Sequence, residues 1–388
     1  MASTIKVDTI DTPSGAGSIT FSQPVAGDGN ALVGISPRNF IIDGDFTQWP
    51  EGETRTSLAH TKYGPALWVY YKIGDSIVID VKRTADAPTV AQSGHSSSHC
   101  MEVDVTTAEA AVAAGDKAVM EYAITGTDFG HLNQQQITIS FWHKFSKSSG
   151  GDGAVYGFYL GNSASDRSYP FQVTQTTNAT WEKHTETITL DTSGTWLLTE
   201  ADKGLRLGFC LFNGSNAHGT AQTWQAGQKE TTSNQVNGGD NTANYMRISQ
   251  VGLYLGGSAP NFTSPPISTV KDQVEYYVQK FGGQVAYEQI AIWQAAGTTA
   301  FDLSLNTRKP LRGTPTVTDS GTANHFAVTN VSGSIVALTN TVSSADANQN
   351  KHGLHFDGTV ASGLVAGDAT RMIANGTTSA YILMDARH

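Results

Sequence analysis

The sequence predicts an all-β protein: a large β-sandwich, which a resemblance given below makes jelly-roll-like, then a short helix, then a second, smaller β-sandwich. Three observations lead there. Short runs that alternate apolar and polar residues recur along most of the chain, which places one face of each run on a core. Forty glycines, with abundant Thr, Ser and Asn, punctuate those runs as turns. Only one stretch carries helical periodicity.

The elements divide the 388 residues into four parts. Residues 1–38 read as an N-terminal attachment arm. Ser3 to Ile10 and Ser18 to Phe21 alternate briefly around a Pro13-Ser14-Gly15 turn. A hairpin of that size buries too little to stand alone. Residues 39–257 form the large domain. It opens on Asn39 to Gly52, where Phe40-Ile41-Ile42 reads as a strand end and Asp43-Gly44-Asp45 as a tight turn; Phe46 and Trp49 follow. Strands are expected at 68–71, 76–81, 100–105, 119–124, 137–145, 155–160, 182–190, 205–212 and 245–255.

Residues 258–283 are a linker and an amphipathic helix. Val270, Val274, Tyr277, Val278 and Phe281 share one helical face over 269–281, Thr269 and Asp272 suit the N-terminus, and Gly282-Gly283 supplies the stop. A lone helix of this length needs its stripe covered. Together with the arm it is expected to serve in assembly. Residues 284–388 form the second sandwich, with strands at 285–293, 300–305, 315–319, 326–330, 335–340, 353–356 and 380–386.

Composition removes several function classes. At 39% hydrophobic and 15% charged, the chain has material for real cores and is not disordered. A formal net charge of -10 with no basic cluster argues against nucleic acid as partner. No apolar run approaches a membrane span, and none at the N-terminus resembles a signal peptide. The chain is therefore expected to be soluble, without membrane insertion, and made in a cytoplasm. Cys100 and Cys210 have no metal or redox spacing and read as buried free thiols.

The Asn39-x-x-Ile42-x-Gly44-x-Phe46 pattern with Trp49 resembles the opening of carbohydrate-binding-module-like jelly rolls, and also that of phage tail and tail-fibre proteins. Ile137 to Phe145 and Thr180-Trp181 leading into Thr187-Ile188-Thr189 are similar to later strands of those jelly rolls. Ser249 and Gln250 stand where such modules carry paired Asp, so the family's structural calcium site does not transfer intact. The opening Ala2 to Ile10, and Phe301 to Leu305 followed by Thr314 to Thr318, resemble segments of phage tail proteins. These resemblances imply a bacteriophage virion structural protein of the tail-fibre or receptor-binding class. It would bind a host surface glycan, touch other virion proteins, form a homotrimer, and be made in the host cytoplasm before joining the virion. A capsid-decorating or head-fibre protein and a secreted polysaccharide-degrading enzyme are the alternatives.

Candidate chemistry is sparse. Asp43, Asp45, Glu51 and Glu53 cluster near a turn, but turns favour Asp for backbone reasons, and a glycosidase needs two carboxylates across a cleft. No enzymatic role is expected. Asp43 and Asp45 are the candidate calcium ligands, since a hard cation wants clustered oxygens; no other cofactor is expected. His95, His99, His131, His143 and His184 show no HExxH spacing and read as solvated loop residues. The glycan-binding candidates are aromatic. Trp68 and Tyr70 share one face of a strand, Tyr71 takes the other, and Trp196 and Trp224 lie in polar, turn-rich stretches. Gln222, Gln225 and Gln228 stand near Trp224 to supply hydrogen bonds. Core or inter-subunit packing is the other reading of each ring.

Overall fold

The computed structural model describes residues 38–74, 76–199, 203–342 and 347–388, with the backbone of 26–27 and 30–31. The strands expected at Ser3 to Ile10 and Ser18 to Phe21 lie outside the described residues. Ala26–Gly27 and Asn30–Ala31, within the expected attachment arm, pair with each other antiparallel. Residues Asn39–His388 make a separate compact unit, and within it the all-β architecture is the one expected: a jelly-roll-like sandwich, a short helix and a smaller sandwich.

The jelly roll packs a seven-stranded sheet on a six-stranded one. The seven-stranded sheet runs Gln225–Ala226, Arg167–Gln175, Ala154–Gly161, Lys203–Asn213, Lys117–Thr125, Trp68–Ile73, Lys62–Tyr63. The six-stranded sheet runs Glu182–Thr189, Gln136–Ser146, Tyr245–Leu255, Cys100–Thr107, Val78–Thr84, Thr54–Arg55. The ladders are antiparallel. Alternation decides which side chains enter the core. Ile137, Ile139, Phe141 and Phe145 point in from one sheet, and Phe158, Phe171, Leu207 and Phe209 from the other. Phe158, Phe141 and Phe209 lie within 5.1 Å of one another, centroid to centroid, at the centre of the stack.

Three expectations need correction. Phe40-Ile41-Ile42 is not a strand. The Asn39 side chain holds that segment instead, donating to Val251 O and accepting from Ile41 N and Leu253 N. The helix covers Ile267–Glu275 only, with Pro266 at its N-terminus and no side-chain cap. Val278–Gly282 is a strand paired with Tyr381–Asp385, because the backbone groups of the final strand supply partners that a longer helix would have left unused. The helix stripe is also not free for assembly. Val270 and Val274 are buried, and Val274, Tyr277 and Val278 belong to the jelly-roll core. Third, Arg167–Gln175 is a strand where none is expected, despite Pro170 in its middle.

The second sandwich sets a three-stranded sheet (Val278–Gly282, Tyr381–Asp385, Thr316–Asp319) against a seven-stranded one. The latter runs Ile335–Ala337, Phe326–Thr329, Ala369–Ala374, Gln289–Ala295, Ala300–Asn306, Gly353–Thr359, Ala347–Asn350. Trp293, Phe301, Phe326, Phe356 and Ile382 fill it. Its last residues reach back to the jelly roll. Arg387 bonds Glu51 and Asp385 at 2.5 and 2.7 Å, donates to Ala66 O, and lays its guanidinium over Tyr63 at 3.6 Å; Tyr63 donates to His388 O. None of the described helices is long and apolar enough to cross a membrane.

Candidate functional site

The four expected aromatic residues separate into two pairs. Trp68 and Tyr70 do share a face, but it is the inward one, and each is only 1% exposed. Trp68 stacks on Phe209 and packs against Tyr122 and Phe46. Neither can meet a sugar; these two are core residues, and the exposed face of that strand carries Tyr71 instead. Strand alternation alone leaves inward and outward undecided, so both assignments were compatible with the sequence.

Trp196 and Trp224 come together at one edge of the jelly roll. Both are half-buried, and their rings meet edge to face at 5.6 Å. Trp196 lies on Phe129 at 5.1 Å, and Trp224 leans on Tyr169 at 5.4 Å. Each indole N–H is tied to the backbone, Trp196 to Ser193 O and Trp224 to Thr189 O. The rings are thereby fixed at both ends while part of their surface stays outward. Polar groups ring them. Gln222 donates to Glu186, which also accepts from the Tyr169 hydroxyl, and Arg167 pairs with Asp191 at 2.5 Å. Gln225 folds back onto Thr220 and Thr223 backbone, and Gln228 bonds Glu230. Of the three glutamines expected beside Trp224, only Gln222 therefore serves the pair.

Asp43 and Asp45 are held by donors rather than gathered as an oxygen cage. Both Asp43 oxygens are taken, by Thr47 N, Thr47 Oγ1 and Gln48 N. Burial pushes its pKa up to about 7 against the pull of those donors. Asp45 accepts from Ser97 and Ser264 at 2.6 and 3.1 Å, and the His95 ring stands 3.1 Å away. Gln250 closes the group by donating to Ser93 and Ser97. The geometry does not favour calcium: direct hydrogen bonds fill the positions that a cation would need. Glu51 and Glu53 are likewise engaged, with Arg387 and Arg55, and with Arg83.

Two of the five histidines are not in loops. His143 is 2% exposed between the sheets and bonds Gln175 at 3.0 Å, while His184 stacks on Phe171. Both are lowered to about 4, chiefly by burial, with His143 contributing to the fall at His184.

The outer face of the seven-stranded sheet is the other place where a ligand could lie, and the chain fills much of it. Gly157, Gly161 and Gly208 floor it. A Cβ at Gly157 would fall 2.1 Å from Thr231 Oγ1, and one at Gly208 2.0 Å from the Tyr159 ring. Glu121, 1% exposed, accepts from Tyr159 at 2.5 Å and Arg206 at 3.3 Å, with Lys203 at 3.5 Å. Half-buried Tyr71 sits between Lys117 and Lys203, 5.6 and 5.4 Å from its centroid. Beyond it a hollow of about 160 Å³ is bounded by Ile73, Lys117, Asn216 and Glu230.

No family model matches the sequence, and no curated protein matches it. Among solved structures the chain is similar to TmCBM61 in complex with beta-1,4-galactotriose, at 9% identity and a TM-score of 0.28, covering 56% of this chain and 99% of that one. It is similar also to the CBM22-1 xylan-binding domain from Paenibacillus barcinonensis Xyn10C, at 9% identity and 0.25, covering 58% and 98%. A structure described as CBM4 shows 13% identity and 0.26, covering 50% and 97%. The jelly roll of this chain is defined by its own strand order.

Proposed function

We propose that this protein binds glycans without covalent chemistry, through the Trp196–Trp224 edge of its jelly roll, as a phage virion component of the tail-fibre or receptor-binding class. The observation that carries the glycan reading is the pair of half-buried indoles, fixed by backbone hydrogen bonds and edged by Gln222, Thr223 and Ser193. Rigid aromatic faces with polar neighbours suit sugars, which offer apolar C–H patches between hydroxyls. The virion role rests on the sequence resemblances at Ala2 to Ile10 and at 301–318, with residues 1–38 as attachment arm and other virion proteins as partners. Sugar sites of this kind are weak singly and gain by repetition, which fits a homotrimer.

The test measures host adsorption and melting temperature together for Trp224→Ala and Trp196→Ala. Adsorption should fall several-fold while the melting temperature drops by only a few degrees. If adsorption survives both substitutions, the edge is packing alone. Cryo-electron microscopy of the particle tests location: density on the head instead of the tail refutes the receptor-binding part.

A further inference from the structure

Trp142 differs from the chain's other tryptophans. Trp49, Trp181, Trp196 and Trp224 donate their N–H groups to protein acceptors, and Trp68 and Trp293 are enclosed in cores. Trp142 is half-buried on the outer face of the six-stranded sheet, and its N–H has no partner among the described residues. Across the ladders it faces Lys183 on one side and Ser249 on the other. Lys183 is exposed and has no ion pair among the described residues. Beside the ring opens a narrow hollow of about 10 Å³, bounded by Trp142, Tyr254, Phe262, Ser140, Lys183 and Gln250. That volume admits one water-sized group.

The floor of the hollow carries an unmet acceptor. Gln250 is 2% exposed, at a bulge in its strand and with φ of 52°. Its amide nitrogen is used by Ser93 and Ser97, but its Oε1 has no donor. The Ser249 hydroxyl, fully buried opposite Trp142, is also unpartnered. Buried polar atoms of this kind call for an incoming O–H or N–H, because leaving them unmet costs about 1–3 kcal/mol each.

We infer that this place is a second sugar-binding site, in which a pyranose stacks on Trp142 and sends one hydroxyl into the hollow to donate to Gln250 Oε1. Lys183 and the Trp142 N–H then donate to ring-edge oxygens of the same sugar. The aromatic side walls, Tyr254 and Phe262, exclude water around that single hydroxyl. The class of ligand rests on the glycan reading of the Trp196–Trp224 edge; the place does not, since it lies on the outer face of the six-stranded sheet and shares no residue with that edge.

The experiment uses the full chain labelled with 5-fluorotryptophan. Its seven indoles are assigned by single Trp→Phe variants, and fluorine spectra are recorded against gluco-, galacto-, manno- and xylo-trioses. At least one trisaccharide should shift the Trp142 resonance saturably. Lys183→Ala should weaken that response about tenfold, the effect of losing one good contact, while leaving the resonances of Trp68 and Trp293 in place as proof of folding. A Trp142 resonance unmoved by all four sugars overturns the inference and leaves the hollow to a water. If Trp196 and Trp224 respond and Trp142 does not, this site fails alone; if Trp142 responds by itself, it stands and the edge reading falls. Silence from all three refutes both.

Discussion

Acidification should loosen the jelly roll through its two interior imidazoles. His143 and His184 are each lowered to about 4 by burial, from an ordinary value of 6.5. Each is therefore neutral when folded and protonates more readily when unfolded. The stability this contributes is present above pH 6.5 and is lost as pH falls toward 4. At about 1.4 kcal/mol per pH unit, each ring costs about 3 kcal/mol across that interval. Glu186 stands 3.8 Å from His184 Nε2, beyond hydrogen-bond reach, so it does not hold the charge by a direct bond. Asp43 works in the opposite direction. Raised to about 7 from 3.8, it takes a proton more readily when folded, so its contribution grows as pH falls from 7 toward 3.8, by about 4 kcal/mol. The two rings together outweigh it, and net stability should fall by a few kcal/mol between pH 7 and 4. The assay is urea unfolding at half-unit steps of pH for the wild type, for His143→Gln with His184→Gln, and for Asp43→Asn. The histidine variant should lose less stability on acidification than the wild type, because the two imidazole contributions are gone while Asp43 still offsets the loss at lowered carboxylates such as Asp86. Asp43→Asn should steepen the loss. An acid slope unchanged in the double histidine variant would refute the reasoning.

Other outcomes follow from burial and pairing. Trp68→Ala should cost about 3–5 kcal/mol by removing a core ring, seen as a collapse of the denaturant midpoint, whereas Trp224→Ala should cost less than half as much. Arg387→Ala leaves Asp385 without its guanidinium and Glu51 with Arg55 alone, and should cost about 3 kcal/mol; an unchanged midpoint would show those pairs to be dispensable. Cys100 and Cys210 are both buried and free, with burial raising both thiols. Native protein should resist alkylation, and mass spectrometry without reductant should find no bridge between them.

The strand pattern was legible because alternation and turn residues are local signals. Tyr245–Leu255 has the bounds that its sequence suggests, and the two-sandwich order follows from the linker after Gly256. What the sequence hid were decisions made by distant partners. Val278 and Phe281 fit a helical stripe and a strand equally, and the Tyr381–Asp385 strand chose between them. Trp68 and Tyr70 differ from Tyr71 only in which way the sheet turns its back. Trp142 sits in Ile137 to Phe145 among residues that read as core, and its outward position depended on that same choice. The Asp43 and Asp45 carboxylates looked like cation ligands because sequence lists acids but not the donors that reach them. Ser97 and Ser264 lie 52 and 219 residues from Asp45.

The contact between Arg387 and Glu51 spans 336 residues of sequence. In mechanical terms it is a short circuit. A pull applied between the start of the jelly roll and the end of the last strand meets that guanidinium and the Tyr63 ring beneath it, with the Tyr63–His388 bond and the packing of Val274, Tyr277 and Val278 in the jelly-roll core sharing the load. Parting that contact frees the end of the chain alone, because the two sandwiches give up their length only when their own sheets unfold. Under such a pull the two sandwiches respond as one stiff link and not as beads on a loose string.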